Sequence, residues 1–203
     1  MKKNKISKDW INKRRRDIYV RQSKIEGYKS RAIYKIKEID EKFKILNGAK
    51  SAVDLGAAPG SWSQYILNNF KNIKLASIDL KKFDKVENTF QITGDFTEDV
   101  YKQKILNFFQ DKIDIIISDM AVNTTGNKNL DSIQTSELCL DAMRFSKEVL
   151  KKNGIFVSKI FIGSTFNEII DESKKIFKKN KVFKPSASRK ESKESFIVCS
   201  MLR

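Results

Sequence analysis

From Ser51 onward, short apolar runs alternate with longer amphipathic stretches. The runs SAVDL (51–55), IKLASIDL (73–80), FQIT (90–93), IDIIISD (113–119), GIFVSKIFI (154–162) and SFIVCSML (195–202) read as strands. Between them the spacing predicts helices through Phe70, around Glu98–Phe109 and from about Ser132 to Leu150, the last ended by Asn153-Gly154. A further helix near Thr165–Phe177 leads to KVFKP (181–185). Upstream, Ser30 caps a helix carrying Ile33, Ile36, Ile39 and Phe43 on one stripe, and Asn47-Gly48 closes it. IDIIISD carries three consecutive isoleucines, a continuous apolar run as expected of a strand covered on both faces. Such alternation means an α/β chain with a mostly parallel sheet and helices on both sides. No internal repeat or long linker interrupts it. Residues 30–203 are therefore expected to form one domain, preceded by a basic arm over residues 1–29.

Charge sharpens the reading. The 203 residues hold 41 Lys and Arg against 25 Asp and Glu, a net +16. Residues 1–29 alone hold eleven basic against three acidic residues, with Trp10, Ile18, Tyr19 and Tyr28 interleaved. A polyanionic partner follows, with aromatic rings available to stack on bases. A solvated tail with a basic face is the plainer alternative. There is no histidine, which removes Ser-His-Asp triads, histidine-bound metals and imidazole acid–base chemistry. Cys139 and Cys199 form no CxxC pair, so a reducing compartment fits and a thiolate zinc site does not; no metal is expected. No stretch is long and apolar enough for a membrane span, and the charged N-terminus has no apolar run behind it. A cytoplasmic protein that does not engage membranes is expected.

The candidate chemistry begins at the end of the first strand, in Asp54-Leu-Gly56-Ala-Ala-Pro-Gly60. In doubly wound sheets ligands bind beyond the carboxyl ends of the strands. The spacing is neither GxGxxG nor a P-loop, so phosphate cradling is not implied. Asp79 ends the second strand, where a carboxylate can accept from ribose hydroxyls, and Asp95 ends the third, where one can accept from an adenine amino group. An aspartate at a strand end also serves as a turn or helix cap. Taken in order after this loop, the two argue for an adenosine ligand without phosphates.

The collinear segments DLGAAPGSWSQ (54–64), GDF (94–96), SDMAVNTTG (118–126) and GIFVSKIF (154–161) resemble the FtsJ/RlmE family of ribose 2′-O-methyltransferases. Upstream, SRAIYKIKEID is similar to the family's SRA-x-[FY]-KL helix, and KPSASRKESKESFIV to its last strand entry. The resemblance covers roughly residues 28–200. It implies a Rossmann-like, class I S-adenosylmethionine-dependent fold, with a doubly wound, mostly parallel seven-stranded sheet whose last strand is antiparallel. It also implies a monomer acting on RNA, as large-subunit rRNA or the assembled subunit, and a uridine ribose as acceptor. The family's Lys-Asp-Lys-Glu tetrad falls on Lys35, Asp119, Lys159 and Glu194, and its S-adenosyl-L-methionine contacts on Gly60, Trp62, Asp79, Asp95 and Asp119. Trp62 is equally placed to be core at a helix start. Three positions depart from the family pattern: Ser61 for glycine, Val122 for proline, and Phe196 for a tyrosine.

A ribose hydroxyl is a weak nucleophile, and without histidine a lysine is the candidate base, provided burial or a second cation lowers its pKa. Lys159 ends an apolar strand, Lys35 supplies a second cation, and Asp119 opposes that shift. Two versions stand: Lys159 removes the proton, or it positions the oxygen while the proton leaves late to Asp119 or water. Competing readings are the same reaction on tRNA or another RNA, a non-catalytic ribosome assembly factor, and a nicotinamide-dependent enzyme. The loop spacing disfavours the last. Deleting residues 1–24 is expected to weaken RNA binding and flatten its salt dependence, because phosphate contacts release counterions; binding titrations across a salt series check this.

Overall fold

A computed structural model of the chain describes residues 17–122, 128–189 and 191–203. It contains α1 (Ile18–Ile25), α2 (Ile33–Phe43), β1 (Ser51–Leu55), α3 (Ser61–Asn69), β2 (Lys74–Asp79), β3 (Thr89–Thr93) and α4 (Asp99–Phe109). These are followed by β4 (Ile113–Ser118), α5 (Lys128–Val149), β5 (Leu150–Phe161), α6 (Phe166–Ile176), β6 (Phe177–Phe183) and β7 (Glu194–Leu202). The strands form one seven-stranded sheet in the order β3-β2-β1-β4-β5-β7-β6. All neighbours from β3 to β5 run parallel, and β7 lies antiparallel to both β5 and β6. The expected architecture, with an antiparallel last strand, is the one observed.

The central strands are apolar on both faces because both are covered. On one side Val53, Ile78, Ile116, Phe156 and Ile197 pack with Ile105 and Phe109 of α4, Met143 and Phe145 of α5, and Ile169 of α6. On the other, Ala52, Ile115, Ile117, Val157 and Phe196 pack with Ile33, Ile36 and Ile39 of α2 and with Trp62 and Ile66 of α3. Successive residues alternate between the two clusters, the period of two that a strand imposes. The chain builds outward from β1 to β3, then returns to lay β4 on the other side of β1. Leu55 and Ser118 are register partners at that reversal, so the loops after β1 and β4 start side by side. This is where an open α/β sheet leaves a crevice.

Several local features differ from the sequence reading. Helix α2 ends at Phe43 with Lys44 at φ 53°, before Asn47-Gly48. Within the basic arm, residues 18–25 are helical, because Asp17 accepts from the Tyr19 and Val20 amides and Tyr19 stacks against Tyr34 at 5.2 Å. A cut at residue 24 would therefore remove most of α1. Trp10 and the rest of residues 1–16 lie outside the described residues. Helix α5 starts before Ser132, at Lys128. Asn153-Gly154, expected to close a helix, instead lies in an irregularity of β5: Ile113 pairs with Leu150 and Ile115 with Ile155, so the segment between bulges out of register. Among the described residues no helix is long and apolar enough to cross a membrane.

Phe156 is fully buried and stacks on Phe177 with ring centroids 6.0 Å apart. Phe156→Ala should cost about 3–5 kcal/mol of stability, measured by denaturant unfolding.

Candidate active site

The crevice outside β1, β2 and β4 is a cavity of about 480 Å³. Gly56 and Ala58 of the first loop, Asp79, Asp95, Asp119 and Met120 contribute to its walls, with Ile78, Phe96 and Leu138 supplying apolar surface. Gly56 has φ 75°, and a Cβ there would lie 2.9 Å from the Met120 backbone, so the β1 and β4 loops touch only because the residue is glycine. Asp79 accepts from the Ala58 amide at 2.9 Å and from the Lys81 amide at 2.8 Å. Asp95 accepts from the amide and hydroxyl of Thr97 at 2.9 and 2.7 Å. Both aspartates thus brace turns. Each Asp79 oxygen keeps a second lone pair, while Asp95 takes both bonds on Oδ1 and leaves Oδ2 as its acceptor toward the cavity.

At the inner end of the crevice four charges form an alternating chain. Lys159, 7% exposed on β5, donates to the carboxylate of Asp119 at 2.9 Å and to its backbone carbonyl at 2.5 Å. Lys35 of α2 lies 3.6 Å from the same carboxylate oxygen and donates to Glu194 at 2.9 Å. Ser188 completes the chain by donating to the other Glu194 oxygen at 2.7 Å. Burial would raise the Asp119 carboxyl, but Lys159 and Lys35 outweigh it and hold it below the usual carboxylate range. Burial likewise draws Lys35 downward, and Asp119 with Glu194 overcomes it, leaving the ammonium above its ordinary value. Asp119 also lines the crevice, whereas Lys35 and Glu194 line a second cavity of about 370 Å³ on the α2 side.

The family of FtsJ-like methyltransferases matches residues 28–201. This chain belongs to it. A relative in Pelagibacter ubique (strain HTCC1062), named ribosomal RNA large subunit methyltransferase E, is 61% identical, covering 100% of both chains. One of the same name in Rickettsia akari (strain Hartford) is 42% identical, covering 97% of this chain and 89% of its own. The crystal structure of a putative ribosomal RNA methyltransferase from Plasmodium falciparum superimposes with TM-score 0.77 at 34% identity, covering 86% of this chain and 98% of that one.

In this FtsJ-like chain the four tetrad candidates from α2, the end of β4, β5 and β7 meet in one cluster. Of the expected cofactor residues, Asp79, Asp95 and Asp119 line one crevice, while Gly60 and Trp62 stand outside its walls. Gly60, at φ 103°, makes room for Val86 and Phe83, whose nearest atoms would lie 2.8 and 3.3 Å from an added Cβ. Trp62 is buried against Phe196 and donates from its indole to the Ala32 carbonyl at 2.8 Å, tying α3 to α2 beneath Lys35. Phe196 places its ring 5.7 Å from the Lys35 ammonium. Val122 borders the crevice, and the rest of the 118–126 segment from Asn123 lies outside the described residues. The sequence reading gave no role to Arg31 and Arg189, which line the second cavity, although both sit in quoted motifs, SRAIYK and SASRKES. Among the described residues no group of acidic or cysteine side chains is arranged to hold a metal.

Asp54 was also passed over. It is buried beneath the first loop, and one carboxylate oxygen accepts from Ser63 at 2.7 Å while the other has no hydrogen-bond partner among the described residues. Burial pushes its pKa up to about 7, helped by Asp119 and Asp79 and opposed by Ser63. From about pH 4 to 7 the unfolded chain ionises this group while the folded chain keeps the proton, so stability falls as pH rises through that window. Relative to Asp54→Asn, the unaltered chain should lose up to roughly 4 kcal/mol between pH 4 and 8; denaturant unfolding at both pH values tests this, and parallel pH profiles would contradict it.

Proposed function

We propose that this chain transfers the methyl group of S-adenosyl-L-methionine to a ribose 2′-hydroxyl of large-subunit ribosomal RNA. One observation carries the reading most directly: the charged chain of Lys159, Asp119, Lys35 and Glu194 links two cavities, Asp119 lining one and Lys35 with Glu194 lining the other. A donor held on one side and an acceptor on the other would meet at that wall. The names of the two curated relatives and the net +16 charge support RNA as the acceptor.

The donor set of the first cavity fits adenosylmethionine. Asp79 would receive the ribose hydroxyls and Asp95 the adenine amino group. The Gly56–Ala58 backbone with Met120 and Leu138 would enclose the rest, and no basic cradle for phosphate is needed. The bound cofactor supplies an electrophilic methyl group on a sulfonium. The protein must hold the acceptor oxygen in line and manage its proton. Lys159 has two donors committed to Asp119, which leaves its third for the acceptor oxygen. An ammonium held this way favours the positioning version. Asp119 is held below the usual carboxylate range by the two cations, and its contacts with Lys159 fix where that third donor points. Methyl transfer to the oxygen would release the hydroxyl proton late, and Asp119 or water would receive it. Lys35 supports Asp119 from the other side, and Glu194 holds Lys35.

Lys159→Ala should lower methyl transfer by about a hundredfold or more while adenosylmethionine binds with nearly unchanged affinity. Turnover by radiolabelled methyl transfer and affinity by calorimetry measure the two. Near-normal turnover would remove Lys159 from the site. Mapping 2′-O-methyl positions in total RNA with and without the protein identifies the acceptor, and a new site confined to tRNA would redirect the reading.

A further inference from the structure

The second cavity has a composition suited to one ligand charge. Lys35 and Glu194 on its wall neutralise each other. Arg31, also on the wall, is paired with Asp17, donates to the Ala187 carbonyl and stands over the Tyr19 ring. Arg189 differs. It is exposed at the cavity, and no carboxylate lies within ion-pair distance of it among the described residues. Its charge bears on Arg31, whose pKa is lowered by burial first and by Arg189 next, with Glu194 and Glu191 acting the other way. Glu191 also lines the cavity and keeps its field from becoming strongly positive. Ser192 accepts from the Glu194 amide at 3.1 Å, and its own hydroxyl proton has no hydrogen bond among the described residues.

The position of this cavity limits what can enter it. If the ribose methylation reading holds, on which this inference rests, the acceptor oxygen sits at the Lys159–Asp119–Lys35 wall. The sugar carbon bearing that oxygen is bonded directly to the carbon bearing the 3′-oxygen, so the 3′-phosphate cannot be more than a side chain's reach away. Lys35 lines the second cavity and lies 3.6 Å from Asp119, so that cavity is the one on this side of the charged chain that could receive it. A phosphodiester carries a single negative charge, which matches one uncommitted guanidinium, and Arg presents the planar fork suited to phosphate oxygens. We propose that Arg189 grips the phosphodiester on the 3′ side of the acceptor ribose, with the Ser192 hydroxyl as a second donor. The grip fixes the sugar so that its 2′-oxygen faces Lys159.

The test is equilibrium binding of large-subunit ribosomal RNA to the full chain across a potassium chloride series. Arg189→Ala should raise Kd severalfold at low salt and reduce the slope of log Kd on log salt by about one unit. Arg189→Lys should restore the slope, and adenosylmethionine affinity should be unchanged in both. An unaltered slope in Arg189→Ala, a slope equally reduced in Arg189→Lys, or a parallel loss of cofactor affinity overturns the proposal. This readout needs no turnover, so failure of the unaltered protein to methylate RNA would sink the proposed function without being mistaken for this result. Position is tested with an RNA fragment carrying a neutral methylphosphonate just 3′ of the mapped ribose. Arg189→Ala should add no further loss on that fragment, and a full additional loss places the arginine elsewhere.

Discussion

The Asp119 carboxylate is the constraint around which the site is organised. It is largely buried, with two ammonium groups against it, Lys159 at 2.9 Å and Lys35 at 3.6 Å. A buried carboxylate is tolerated only when charges and donors compensate it, and removing one partner of such a set leaves the others stranded. The compensation here comes from four elements. Asp119 follows β4, Lys159 is on β5, Lys35 on α2, and Glu194 begins β7. The ends of these elements therefore cannot shift independently.

The sheet topology makes this convergence possible. The reversal between β1 and β4 opens the crevice that Asp79, Asp95 and Asp119 line. The antiparallel return of β7 beside β5 brings Glu194 to the same end of the sheet as Lys159, through the pair Phe161 and Glu194. Helix α2 then lies across that end. Its Glu38 accepts from the amides of Ser186 and Ala187, holding the loop before β7 while Lys35 holds Glu194. Arg31 extends the same clamp to Asp17 at the start of α1. One helix face thus ties the basic N-terminal segment, the loop before β7 and the charged chain together.

This arrangement explains why the chain manages without histidine. Lysines and carboxylates paired across four elements offer preorganised dipoles and donors. Such a site suits a reaction in which the electrophile is already activated and the protein's task is alignment. Asp54, a buried acid whose pKa is pushed up to about 7, sits beneath the loop and outside that chain.

The sequence by itself determined the alternation of strands and helices and the strand ends where the crevice lies, and it was the resemblance of its motifs to a family that singled out the four charged residues. Apolar runs such as IDIIISD are set by burial on both faces, and burial leaves a local signature. Asp79 and Asp95 were legible because strand ends fall at fixed places in that alternation. The tertiary structure alone decided how those residues are used. Gly60 and Trp62 belong to the right loop, yet they face Val86 and Ala32 rather than the crevice, because the direction of a side chain at a helix start depends on what packs over it. Arg31 and Arg189 are 158 positions apart, and no local pattern places both at one cavity. The pairing of Lys35 with Glu194 spans 159 positions and depends on β7 returning antiparallel beside β5. Periodicity records which face of an element is buried; it does not record which element buries it, and the electrostatics of this site depend on that second fact.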